Sequence, residues 1–88
     1  MMGEDRRMME PEAIRALLQA GLTDADVEVL GDGRHFQARI VSPDFDGLPL
    51  LRRHRLVYDL LQAHIDSDVL HAISMRTLTP AQAAAEQD

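Results

Sequence analysis

The stretch GDGRHFQARIVS, Gly31 to Ser42, decides how this chain is read. Gly31, Asp32 and Gly33 make a short polar turn, and from His35 onward polar and apolar residues alternate. A period of two is the signature of a half-buried strand, so His35 to Val41 is predicted to be one. Phe36, Ala38 and Ile40 would face one way, and His35, Gln37, Arg39 and Val41 the other. Val27 to Leu30 supplies a short strand upstream, and the glycine turn between the two predicts a β-hairpin. His35 is the odd member, because a threonine or valine would pair better at the start of a strand.

Working outward, a first helix precedes the hairpin. Glu10, Pro11 and Glu12 suit its first turn, Ile14, Leu17 and Leu18 fall at helical spacing, and Gly21 is the expected stop. After the hairpin, SPDFDGLP carries two prolines and a glycine and reads as a loop. A longer helix is predicted from Leu50 to Ile65, with Leu50, His54, Val57, Tyr58, Leu61 and Ile65 on its inner face. HAISMRTL then reads as a third strand beginning at His71, with Ile73 and Met75 on the side of that histidine. Thr79-Pro80-Ala81-Gln82 has the form of a capping box that opens a short last helix. The order is α-β-β-α-β-α. The helix between the last two strands makes them parallel, while the hairpin strands are antiparallel. The expected fold is α+β, a three-stranded mixed sheet with helices on one face. The domain is expected over residues 9–84, with disordered tails at 1–8 and 85–88.

Eighty-eight residues with 45% hydrophobic and 27% charged composition fit one small globular domain rather than a disordered chain. No apolar run is long enough to cross a membrane, and MMGEDRRMMEPE carries charges where a signal peptide needs an apolar stretch. The cytoplasm is the expected compartment. Cysteine is absent, which excludes disulfides, thiol catalysis and thiolate ligands from this chain. A net charge of −6 argues against a general affinity for nucleic acid.

Four histidines carry the chemical interest. No two have the spacing of a local metal motif. His54 reads as a packed, hydrogen-bonded core residue, and His64 as a cation near a helix end. His35 and His71 stand at strand ends beside loops, where a side chain is held yet accessible. No acid–base pair or nucleophile elbow is present, so an enzyme is not expected. Arg52, Arg53 and Arg55 form a basic cluster on the second helix, with Arg52 and Arg55 outward and Arg53 on a flank. A KH-type module shares this element order but grips nucleotides with a GxxG loop. No two of the five glycines here have that spacing.

Three blocks together carry a family resemblance: GDGRHFQARIVS, FDGLPLLRRHRLVYDLL and VLHAISMRTLTP. The middle one resembles the F-x-G…RHR-x-VY signature of the BolA family through Phe45, Gly47, Arg53, His54, Arg55, Val57 and Tyr58. The last resembles its H-A-[LI]-S…T-P segment, and the short glycine turn is most similar to the short-loop bacterial branch. The resemblance covers about Glu10 to Ala84. It implies a type II KH-like fold and a non-enzymatic partnership with a monothiol, CGFS-type glutaredoxin. A [2Fe–2S] cluster would be shared between the two proteins and glutathione, in iron–sulfur trafficking or iron sensing. The family's main cluster-ligand histidine corresponds to His71. The loop cysteine of other members corresponds to about Asp32, and His35 is the nearest nitrogen donor and the candidate second ligand. His54 and Tyr58 would be structural members of the motif. The resemblance also implies a second reading, a DNA-binding regulator of transcription, stress response and morphology acting through Arg52, Arg53 and Arg55. The chain alone is expected to be a monomer or a weak homodimer.

Overall fold

The computed structural model describes residues 10–86. Helix α1 spans Pro11–Gly21, strands β1 and β2 span Asp26–Gly31 and Phe36–Val41, and a 3-10 turn covers Pro43–Phe45. Helices α2 (Leu50–Leu61) and α3 (Ser67–His71) lead to β3 (Ile73–Leu78), and α4 (Pro80–Glu86) ends the described chain. The sheet order is β1-β2-β3, with β1 antiparallel and β3 parallel to β2. The expected α+β architecture and strand polarities are therefore present. Of the expected tails at 1–8 and 85–88, residues 1–8 and 87–88 lie outside the described residues, and α4 runs through Ala85 and Glu86, past the expected boundary at 84.

Hydrophobic periodicity explains most of the core. Ile14 and Leu18 from α1, Val57 and Leu61 from α2, and Phe36, Ala38 and Ile40 from β2 are all buried in one cluster. Phe36 and Phe45 are its largest fully buried side chains, each worth about 2–3 kcal/mol of apolar burial. The loop after β2 is tied down by Ser42, itself fully buried. Its hydroxyl donates to the Thr23 carbonyl at 2.8 Å and accepts the Asp44 N–H at 3.1 Å. The Asp44 carboxylate in turn accepts the Thr23 N–H at 2.9 Å. These bonds lock the α1–β1 connector to the 3-10 turn.

Three readings of the crossover are corrected. Helix α2 stops at Leu61 instead of reaching Ile65. The segment after it forms α3, whose N-cap Asp66 accepts the Asp68 N–H at 3.1 Å. His71 consequently lies in the last turn of α3, and β3 starts two residues later. Leu50 was expected on the inner face of α2 but is 60% exposed, and Leu51 beside it is 79% exposed. The first turn of α2 overhangs the core, so the apolar period continues past the surface that could bury it.

The capping box is present in both directions. The Thr79 hydroxyl accepts the Gln82 N–H at 3.1 Å, and the Gln82 side-chain carbonyl accepts the Thr79 N–H at 2.9 Å. Helix α4 buries none of its residues. Its last turn lies over the sheet face opposite the core, where Glu86 reaches Arg39 and Arg76.

Candidate functional site

The parallel pairing of β2 and β3 builds one end of the sheet from two distant segments. Phe36 is the register partner of Ile73, and the Phe36 N–H donates to the Ala72 carbonyl at 3.0 Å. His35 precedes Phe36, and His71 precedes Ala72. The fold thus brings both histidines to the same end of adjacent strands, and both are exposed. His35 lies just outside β2 rather than within it, because the strand starts at Phe36.

The turn before His35 is held by Asp32. One carboxylate oxygen accepts the Arg34 N–H at 2.8 Å and the His35 N–H at 2.9 Å. The Asp32 N–H closes the turn onto the His35 carbonyl at 3.2 Å. The His35 and Arg34 N–H groups hold the Asp32 carboxyl below the usual carboxylate range, since they favour its charged form. Asp32 is thereby a turn-forming residue whose oxygen is already engaged. Gly33 supplies the turn's positive φ of 94°. Gly31 is required by a close approach: a Cβ there would lie 2.4 Å from Phe36 Cδ1 and 2.7 Å from the His35 carbonyl oxygen. Leu30, Gly31, Asp32, His35 and Gln37 line a shallow recess beside this turn. Its donor set is nitrogen and oxygen alone. Among the described residues no group of three or more His, Cys, Asp or Glu side chains could hold a metal ion. Two exposed imidazoles fit a metal centre only as part of its ligand set, with the remaining ligands supplied from outside.

The basic cluster divides in two. Arg52 and Arg55 are exposed and line a depression with Leu51, and neither makes a side-chain hydrogen bond or ion pair among the described residues. Arg53 is half-buried and bonded within the fold through two of its three guanidinium nitrogens. Its Nε donates to the Leu48 carbonyl at 2.7 Å, and its Nη1 donates to the Thr77 carbonyl at 3.2 Å and to Gln82 Oε1 at 2.8 Å. Within the fold Arg53 ties α2 to β3 and α4, whereas Arg52 and Arg55 point outward. His54 is half-buried, with Nε2 shielded from solvent and without a hydrogen-bond partner among the described residues. The expected hydrogen bond of this core histidine is therefore missing on that nitrogen. Tyr58 packs half-buried against the core cluster. His64 is exposed in the turn after α2.

Sequence reasoning missed one polar cluster. Arg39 and Arg76 are register partners on the outer face of the sheet, and Glu86 bridges them. The alternation in β2 and β3 already put both arginines on that face. Glu86 was assigned to a tail, which hid the third member.

Residues 12–82 match the family model described as BolA-like protein. The chain is 35% identical over 79 residues to the acid stress protein IbaG of Escherichia coli, covering 90% of this chain and 94% of that protein. Its fold is similar to a solved BolA homologue from Coxiella burnetii, with a TM-score of 0.76 and 40% identity over 88% of this chain and 99% of that one. It is also similar to the BolA domain of SufE1 from Arabidopsis thaliana, with a TM-score of 0.63 and 39% identity over 92% of this chain and 98% of that domain.

Proposed function

The chain belongs to the BolA-like family, and from that premise we propose that it acts without catalysing a reaction, as a partner that co-ligates a [2Fe–2S] cluster with a monothiol glutaredoxin and glutathione. The observation that supports this reading most is the placement of His35 and His71, both exposed, at the same end of the sheet in a chain that has no cysteine. Such a chain can offer nitrogen or oxygen donors, and the sulfur must come from its partner. A relative that is the BolA domain of SufE1 points toward iron–sulfur biology.

His71 is the principal donor in this reading and His35 the second. Asp32 contributes by holding the turn, its Oδ1 accepting two backbone N–H groups. Each imidazole would donate to the cluster through an unprotonated ring nitrogen. A cluster held there would supply electron-transfer or cluster-transfer chemistry, at a potential raised by histidine ligation relative to thiolate. Trafficking or sensing of iron in the cytoplasm is the corresponding role.

The test is co-purification with a CGFS glutaredoxin and glutathione, followed by visible absorption and circular dichroism. His71→Ala is expected to abolish the spectrum of the mixed complex, and His35→Ala to shift it. An unchanged spectrum for His71→Ala refutes the reading. The DNA-regulator alternative rests on Arg52 and Arg55, since Arg53 is engaged within the fold. A gel shift whose affinity is indifferent to salt and to Arg52→Ala with Arg55→Ala would eliminate that alternative.

A further inference from the structure

We infer that the outer face of the sheet holds an oxyanion-binding site, built by Arg39 and Arg76, which Glu86 of α4 occupies as an internal stand-in for an external carboxylate or phosphate. The two arginines lie outside the recess beside His35, which shares Gln37 with the groove that they line, and the inference does not depend on the cluster reading.

Arg39 and Arg76 are direct register partners on parallel strands. Like charges directly opposite each other are destabilising in a sheet, so two guanidinium groups placed this way call for an anion between them. Glu86 supplies one. Its Oε1 accepts from Arg39 Nη2 at 3.3 Å, and its Oε2 accepts from Arg76 Nη2. Each guanidinium thus faces a different oxygen of the same carboxylate. Arginine forks suit carboxylate and phosphate alike.

Anchoring α4 does not require this arrangement. The helix is already fastened at its start by the capping box and by the Arg53–Gln82 bond. A tether at its end would need one arginine, and the second adds repulsion. Helix α4 also buries no residue, so little apolar contact opposes release of its last turn. The site is open to solvent on one side, with the Arg76 side chain 63% exposed against 31% for Arg39 and 27% for Glu86. A groove continues away from Glu86 between Gln37 and Ser74, themselves register partners, whose amide and hydroxyl are free donors among the described residues. An external anion would take Glu86's place on the arginines and extend along these neutral donors, releasing the last turn of α4.

Displacement sets the size of the effect. Where the internal carboxylate occupies the site about nine-tenths of the time, an outside ligand binds about tenfold more weakly than to the open site. The experiment follows the amide and arginine Nε–H signals of the full chain by NMR while inorganic phosphate or succinate is added at constant ionic strength. Glu86→Gln is expected to tighten binding of the favoured probe about tenfold, with the largest shifts at Arg39 and Arg76. Adding Arg76→Ala to Glu86→Gln is expected to abolish that binding. Unchanged β1 signals verify that each variant is folded. Preference for phosphate assigns a phosphorylated ligand and preference for succinate a carboxylate-bearing one. An affinity unaltered by Glu86→Gln overturns the inference, as does a double variant that binds like Glu86→Gln alone.

Discussion

Replacing Arg53 by alanine should cost stability rather than remove a nucleic-acid contact. The guanidinium serves three acceptors on three elements of the fold: the Leu48 and Thr77 carbonyls and the Gln82 side chain. A hydrogen bond to a charged group contributes about 1.5–3 kcal/mol. The two carbonyl bonds are partly buried and count near the lower bound each. The exposed Gln82 bond counts for little, because water replaces it. The expected loss is therefore about 3 kcal/mol, a large fraction of what holds a domain this size together. In a thermal melt that corresponds to a fall of roughly 12–24 °C. Arg53→Lys keeps the charge, but its three donors sit on one nitrogen and cannot span the Leu48 and Thr77 carbonyls as Nε and Nη1 do, so it should lose about half as much. Arg52→Ala removes an exposed side chain with no internal partner and should stay within about 0.5 kcal/mol of the wild type. Urea titration followed by far-ultraviolet circular dichroism compares the three variants directly. If Arg53→Ala shifts the midpoint no further than Arg52→Ala, the guanidinium does not join the elements as described. A loss of DNA binding in Arg53→Ala would then have to be read as contact rather than unfolding.

Two further outcomes follow from the turn at the histidine end. Gly31→Ala drives a methyl group against Phe36 and the His35 carbonyl, so it should destabilise by about 2–3 kcal/mol. Gly33→Ala imposes the strain of a positive φ, about 1 kcal/mol, and equal melting shifts for the two would contradict the close approach at Gly31. Asp32 has a folded pKa below its unfolded one, so its contribution is complete at neutral pH and is lost as pH falls through the lowered folded value. The stability gap between wild type and Asp32→Ala should hence be widest near neutral pH and narrow in acid. A gap that does not change with pH would show that the ionised carboxylate is not what caps the turn.

Legibility in the sequence followed locality. The hairpin and the Thr79–Gln82 capping box are complete within a few residues, and both are present, although β2 begins at Phe36 rather than His35. Helix α3 escaped because five residues hold too little periodicity, and the alternation of His71, Ile73 and Met75 imitates a strand that starts too early. Arg53 looked like its neighbours Arg52 and Arg55 because its acceptors, Thr77 and Gln82, lie far along the chain. The same distance concealed Glu86, whose partner Arg39 is 47 residues away. His35 and His71 were each noticeable alone. Their meeting required the β2–β3 register, which the element order predicts in polarity but not in offset.

That register also bears on how long the protein survives. The whole α2–α3 crossover separates the two histidines, so an unfolded chain holds them as unrelated groups. A partner that engages both recognises the native state alone. At a hundredfold excess over its dissociation constant it would add about 2.7 kcal/mol to the free energy of unfolding. Proteases act on opened chains, and a small domain's abundance responds several-fold to a change of about 1–2 kcal/mol. The protein's turnover would then track partner supply, with unoccupied copies cleared first.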